Sequence, residues 1–423
     1  MALRTVFTGG LVFDGSGSPA APGEVVVERD QVVEVREGHH PDLHTGHTVV
    51  DTSGCTVMPG MVESHAHLTF PSAVGHIDPT FNPPLDVTFF RHIAGFESEL
   101  ARAERNARIL LDAGFTSAYS AGSILKDMPT ELVLRDKIAT GAVPGPRLRA
   151  AAGERDNIPV DPQGRQRSNW VGPEAAASWV REHAAMGYDS VKFLVSNDDV
   201  FTEGGSHLTQ FDAAELSAAA EAARDCGVWL NGHCQSPESV KLAVRAGFRS
   251  IYHCTYADEE ALDLLEEHRD ELFVSPAPGI IFANVYEGEE FGITREVAER
   301  MGSVRALEGM QQIYPEIRKR GIKALIGGDY GFPNNPTGRN ARDLGLFVDL
   351  FGYSPVEALV AATQYGGQVM GLGDRLGLLR PGFLADVLVV KGDPTADVTI
   401  LEKAANLTHI MKDGAFHKTP AAA

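Results

Sequence analysis

Positive charge is scarce in this sequence: 37 Lys+Arg stand against 57 Asp+Glu in 423 residues, a formal net charge of -20. Nucleic acid binds through Lys and Arg, so it is excluded as a main partner, and an anionic membrane surface is disfavoured for the same reason. Cysteine is scarce too. Cys55, Cys226, Cys234 and Cys254 are too few for a disulfide framework in a chain of this length. No apolar run reaches the length of a membrane span. The opening MALRTVFTGGLVFDG lacks a charged segment followed by an apolar one, so no signal peptide is expected and a cytoplasmic protein is the simplest reading. A glycine-rich phosphate loop is also missing after every predicted strand, which leaves a nucleotide fold without support. What remains is a chain of ordinary globular composition, 43% hydrophobic and 22% charged.

Its texture changes twice. The first sixty or so residues alternate β-branched runs with Gly and Asp turns, as in TVFTGGLVFDG, EVVVERDQVVEVRE and HTVVDTSGCTVMPG. His39, His40, His44 and His47 fall in a polar stretch between two of these runs. No cluster of carboxylates or thiols follows it in sequence, so a solvated loop is expected there. From about residue 60, strand and amphipathic helix alternate some eight times, ending on IKALIGGD. That count points to a parallel (β/α)₈ TIM barrel, since doubly wound sheets usually stop near five or six strands. Asp212 and Glu215 have the spacing of a capping box at the start of one such helix. Past residue 375 the strands return in LADVLVVKGDPTADVTIL and LTHIMKDGAFH. Residues 1–58 and 375–420 are therefore expected to form one small β-sandwich, with the barrel at 59–374.

Barrel active sites lie at the C-terminal ends of the strands. His65 and His67 end the first strand, on one face by their i, i+2 spacing. His233 ends VWLNGH, His253 ends SIYH and Asp329 ends IKALIGGD, while Lys192 sits within the apolar DSVKFLV. A buried lone amine is expensive. Each residue taken singly is unremarkable as a core histidine, a capping aspartate or a snorkelling lysine. Together, on five strand ends, they describe a metal site. Cys234 and Cys254 directly follow two of the histidines, so they should face away from the barrel interior and pack. Ser16 and Ser18 sit in a turn without His or Asp partners and are not read as nucleophiles.

The segments MPGMVESHAHL, GPRLRAA, GYDSVKFL, GHCQSPESVKLAVRAG, SIYHCTYADEEAL, GGDYGFP, GRNARDL, SPVEALVAAT and GLLRPGFLADVLVVKGDP extend over nearly the whole chain. In combination they resemble the metal-dependent amidohydrolase superfamily, in the branch near imidazolonepropionases and Xaa-Pro-type dipeptidases. The resemblance implies the same barrel with a composite sandwich, and two divalent metal ions. Zinc is the default, with Mn, Co or Ni as alternatives. It also implies that His65 and His67 hold the more buried metal and that Lys192, carbamylated by CO₂, bridges the two. His233 and His253 would then hold the second metal, and Asp329 would ligate and shuttle protons. The catalytic set is thus Asp329, Lys192 and His253. A hydroxide bridging two such cations is a nucleophile at neutral pH, because the cations lower the pKa of water from 15.7 to about 7. The expected reaction is hydrolysis of an amide C–N bond in a small molecule such as an N-acyl amino acid, a dipeptide or an aryl amide. Xenobiotic amides of the ochratoxin type, phenylureas and thiocarbamates are the alternative. A mononuclear heterocycle deaminase fits less well, because such enzymes generally lack the lysine, and a scaffold without activity would have lost ligands.

Several positions depart from the family pattern: Gly328 before Asp329, Ala118–Gly122 after the second strand, Val195–Asp199 after Lys192, and Thr337–Asn340. All are expected on loops at the mouth, where they would bear on substrate and not on reaction type. His76, Arg91, His92, Tyr119, Asn197, Phe332 and Arg339 are the candidate substrate contacts. The Pro-rich, aromatic loop over 70–96 would serve as a lid, an apolar wall or an oligomer contact. Partners are expected to be a small-molecule substrate and further copies of the chain in a homo-oligomer, with no nucleic acid and no membrane.

Overall fold

The computed structural model describes residues 4–41, 44–71, 98–123, 129–159, 169–200 and 203–420. The first strands are β1 (Arg4–Thr8), β2 (Leu11–Val12), β3 (Ala21–Glu28), β4 (Gln31–Glu37), β5 (Thr48–Asp51) and β6 (Cys55–Pro59). The barrel positions follow as β7 (Met61–Ala66), β8 (Phe115–Ser120), β9 (Arg147–Arg149), β10 (Ser190–Leu194), β11 (Trp229–Cys234), β12 (Ser250–His253) and β13 (Phe273–Ser275). β14 (Val387–Lys391), β15 (Leu407–Lys412) and β16 (Ala415–Lys418) come last. Front and back of the chain share one nine-stranded sheet, joined where β6 pairs antiparallel with β14, Val57 opposite Val389. Phe7, Val25 and Val27 on one side of this sheet meet Val57, Val387 and Val389 from the other in a single apolar cluster. The sheet therefore curls over its own core, as a sandwich does.

Helices cover the barrel: α1 (Glu99–Asp112), α2 (Thr130–Ala139), α3 (Pro173–Met186), α4 (Ala213–Cys226), α5 (Pro237–Ala246), α6 (Glu259–Glu267), α7 (Pro278–Tyr286), α8 (Arg295–Arg300), α9 (Ser303–Lys319), α10 (Arg342–Phe351), α11 (Pro355–Ala362) and α12 (Gln364–Val369). Asp212 and Glu215 form the expected capping box at the start of α4, satisfying two backbone donors that the helix itself cannot. β7, β8 and β9 run parallel, as do β10 to β13. Parallel bridges Ala151–Ser190 and Arg155–Phe193 join the two groups.

IKALIGGD is not a regular strand. It holds the eighth position through single bridges, Ala324 to Val274 and Tyr330 to Ala66, and through Ser64 N donating to Ile326 O at 3.3 Å. Two consecutive glycines, Gly327 and Gly328, account for the loss of strand character there. The VTIL that follows β14 is likewise a 3₁₀ turn and not strand (Val398–Glu402). Among the described residues, no helix is long and apolar enough to cross a membrane.

Candidate active site

One pocket at the C-terminal ends of the barrel strands gathers His65, His67, Lys192, His233, His253 and Asp329. The His65 and His253 ring centroids lie 5.5 Å apart, and those of His233 and His253 lie 4.4 Å apart. His67 Nε2 is 3.2 Å and His65 Nε2 3.9 Å from Asp329 Oδ1. His65, His67 and Asp329 each offer a ligand atom within 4.8 Å of the others.

Burial sets the protonation. It pushes His65 well below the ordinary imidazole range, helped by the charge of Lys192, and pushes His253 the same way, helped by His233. His233 falls to about 3, again chiefly through burial. Burial alone would also lower His67, but the hydrogen bond and charge of Asp329 outweigh it, and the net shift is upward. A neutral imidazole keeps a lone pair for a cation. Two buried ring nitrogens, His65 Nδ1 and His253 Nε2, have no hydrogen-bond partner in the structure. Orphaned buried polar atoms are costly in a folded protein, and in a nest of imidazoles they fit a divalent cation.

The backbone at this rim is unusual. His253 and Asp329 have φ of 74° and 56°, a region that residues other than glycine seldom enter. Such geometry persists only where the surroundings enforce it. Here Tyr314 of α9 donates to the His253 carbonyl at 3.0 Å, and Asn335 donates to the Asp329 carbonyl at 3.1 Å. Lys192, 1% exposed, runs along the Tyr252 ring with Nζ 4.2 Å from its centroid and 3.8 Å from Glu154 Oε1. Tyr252 also stacks on His65 at 4.0 Å, so one ring positions both groups.

Several supporting residues escaped the sequence reading. Glu63 accepts from His65 N at 2.9 Å and from Asn340 Nδ2 at 2.7 Å. Burial, reinforced by the charge of Asp343, pushes Glu63 up to about 8. Asp343 accepts from Gly327 N at 3.0 Å and from the Tyr330 hydroxyl at 2.8 Å. Asp198 faces His233 Nε2 at 3.5 Å and accepts from Gln235 Nε2 at 2.8 Å, and burial pushes it up to about 7. A signal for Glu63 was present, since it is a carboxylate inside an apolar strand just as Lys192 is an amine. Asn340 carried none, because its partner Glu63 lies 277 residues away, and Asp343 meets Gly327 and Tyr330 only once the chain has turned from the eighth position into α10.

Gly328 now has a physical reason. A Cβ there would stand 2.4 Å from Asp343 Oδ1 and 2.5 Å from the Tyr330 ring. Gly328→Ala is accordingly expected to lower stability by about 1–3 kcal/mol and to disturb Asp329. A urea midpoint unchanged from the wild type would contradict this.

Among the candidate substrate contacts, Phe332 lines the pocket. Tyr119 does not. It is fully buried, donates to Asn231 Oδ1 at 2.9 Å and packs in the apolar cluster with Val62, Phe273 and Leu325. Asn197 is turned aside, its side chain accepting from Asp198 N at 2.9 Å. Arg339 is exposed and pairs with Glu287 at 3.0 Å. Proximity to a strand end does not tell which way a side chain points. Ala118–Gly122 is buried throughout, with the Gly122 carbonyl 2.7 Å from His67 Nδ1, whereas of Thr337–Asn340 only Asn340 is buried. His76, Arg91, His92 and nearly all of the loop over 70–96 lie outside the described residues. Cys234 and Cys254 pack in the large apolar cluster as expected, and burial pushes both thiols up. The histidine-bearing loop is less solvated than expected: His44 Nε2 lies 2.8 Å from buried Glu24 Oε1.

The amidohydrolase family model matches residues 56–416. Ochratoxinase of Aspergillus niger is 24% identical, the match covering 99% of this chain and 88% of that protein. Imidazolonepropionase of Rubrobacter xylanophilus is 26% identical over 93% of this chain and 90% of its own length. Among solved structures, a Xaa-Pro dipeptidase with methionine bound in its active site superposes with a TM-score of 0.80 at 24% identity, covering 98% of this chain and all of its own.

Proposed function

The chain belongs to the amidohydrolase family, and from that premise we propose that it is a binuclear metal-dependent hydrolase of amide C–N bonds in small molecules. The observation that carries this reading is the convergence of four imidazoles, Asp329 and Lys192 in one pocket, with buried ring nitrogens left unpartnered. On this proposal His65, His67, His233, His253, Asp329 and a carbamylated Lys192 would hold the cations, zinc being the default for such a donor set. When bound, divalent cations lower the pKa of water and polarise a carbonyl.

The rest of the chemistry belongs to side chains. Asp329, 3.2 Å from His67 Nε2, would accept a proton from the attacking water and pass it to the leaving nitrogen. Glu63 fixes the backbone of His65, and the Asp198–Gln235 pair confines the ring of His233. Phe332, Ile280 and Met310 exclude bulk water from one side of the pocket.

Elemental analysis of the purified protein, followed by a hydrolysis screen over N-acyl amino acids, dipeptides, aryl amides and phenylureas, tests this reading. About two metal atoms per chain and chelator-sensitive hydrolysis of at least one amide are the expected results. A chain that binds no metal would overturn the proposal.

A further inference from the structure

Behind His67 lies a buried carboxylate that the hydrolytic chemistry above does not use. Glu131, the second residue of α2, is 2% exposed. Among the described residues, its Oε1 accepts from the Ser120 hydroxyl at 2.7 Å and its Oε2 from Ala151 N at 3.0 Å. Burial pushes this carboxyl up to about 7, although the hydrogen bonds from Ser120 and Ala151 oppose the rise. A carboxylate in such a place is expensive, and an apolar residue of similar size would pack there at less cost.

The end of β8 leads from Glu131 to the proposed metal site. Ser120 closes β8, and while its hydroxyl donates to Glu131, the same oxygen accepts from Gly122 N at 3.0 Å. Between them Ala121 N donates to Ala66 O at 2.9 Å, which ties the turn to β7. The Gly122 carbonyl then meets His67 Nδ1 at 2.7 Å. A carbonyl only accepts, so Nδ1 carries the proton. The neutral ring therefore keeps the Nε2 lone pair on the side of Asp329, 3.2 Å away. Gly122 reaches this position with φ of 101°, and a Cβ there would stand 2.8 Å from the Ala152 carbonyl oxygen. Having no side chain of its own, this residue is fixed by the bonds its neighbours make.

Resting on the metal-hydrolase reading above, we infer that Glu131 is a positioning residue for His67, acting through Ser120 and the Gly122 carbonyl. It touches no reacting atom. Its carboxylate orients the Ser120 hydroxyl, the hydroxyl oxygen holds Gly122 N, and the Gly122 carbonyl sets the tautomer and tilt of the ring. An ionised carboxylate accepts at both oxygens, as Ser120 and Ala151 require. An amide at 131 accepts at one only, so one of the two bonds is lost.

The test titrates Co(II) into the metal-free full chain in bicarbonate buffer, for the wild type, Ser120→Ala, Glu131→Gln and the double variant. The dissociation constant and the visible bands of the bound ion are read, and the urea midpoint of each metal-free chain reports packing alone. Each single variant is expected to weaken Co(II) binding by about 10–100-fold and to shift the bands, as loss of a partner behind a ligating imidazole does. The double variant is expected to lose no more than the worse single one, because both act through the same carbonyl. Unchanged affinity and bands in Glu131→Gln overturn the inference, whatever its urea midpoint, and so do losses that add in the double variant. Glu131→Gln is nearly isosteric and decides the question if Ser120→Ala does not fold. In all these cases a wild type that binds Co(II) leaves the hydrolase reading standing. A wild type that takes up neither Co(II) nor Zn(II) overturns both.

Discussion

Asp329→Asn is expected to lower kcat by about 10²–10⁴-fold, the range that a positioned acid–base group supplies. The substitution preserves shape but removes the charge that lies 3.2 Å from His67 Nε2 and 3.9 Å from His65 Nε2. It also removes the proton acceptor proposed for the attacking water. Two effects are therefore combined, and a single rate cannot separate them. Metal content measured beside the rate does. A variant that retains its metal while losing turnover isolates the proton-transfer role; one that loses both shows ligation to dominate. Activity within a few-fold of wild type would remove Asp329 from the mechanism altogether. Its backbone argues against that outcome, because φ of 56° on a residue other than glycine is a conformation that the surrounding hydrogen bonds must hold.

Lys192→Ala is the second large effect. On the proposed assignment it should abolish activity and lower metal content, with partial recovery when short carboxylic acids and metal are added together. The physical basis is the setting of the amine. Lys192 lies within β10, is 1% exposed, and burial pushes its ammonium below the ordinary lysine range. Carbamylation consumes a neutral amine: its nitrogen bonds to the carbon of CO₂ and a proton is released. Desolvation, which favours the neutral form, favours that step. The carbamate then offers two oxygens where the amine offers none that could ligate a cation while protonated. Incubation of the wild type with isotope-labelled bicarbonate gives a readout independent of turnover, namely a labelled carbamate carbon in the NMR spectrum that Lys192→Ala lacks. Full activity and full metal content in the variant would sink the assignment. Glu154, 3.8 Å from Nζ, would then be the remaining partner of a lysine that serves only as a buried cation.

Much of the barrel was legible because its signals are local. Helix periodicity, the Asp212–Glu215 capping box and the polar groups closing MVESHAH, VWLNGH and SIYH all operate within a few residues. The eighth position was read as a strand because IKALI is apolar and β-branched. Its two glycines then give way to close packing: a Cβ on Gly327 would touch His65 at 2.8 Å, and one on Gly328 would touch Asp343 at 2.4 Å. Such a constraint comes from residues hundreds of positions away or on another element, and no local pattern carries it. Tyr119 illustrates the converse error. Its place near a strand end suggested the mouth, yet the phenol points into the apolar cluster beneath the site and finds Asn231.

By itself, then, the scarcity of positive charge set the expectation of no nucleic-acid partner, the alternation of elements implied the barrel, and the strand ends offered six candidate metal ligands. Those conclusions depend on composition and on spacing along the chain, which the sequence contains in full. Only the tertiary structure decided which groups support them. It placed Glu63 under His65 with Asn340, set Tyr252 between His65 and Lys192, and brought Asp198 to His233. It also brought Ile280 and Ile281 of α7 and Met310 of α9 to the lining of the pocket. The reason is the same in each case. Whether a buried side chain packs, supports or binds depends on what lies opposite it, and in a closed barrel the opposite residue comes from a distant part of the chain.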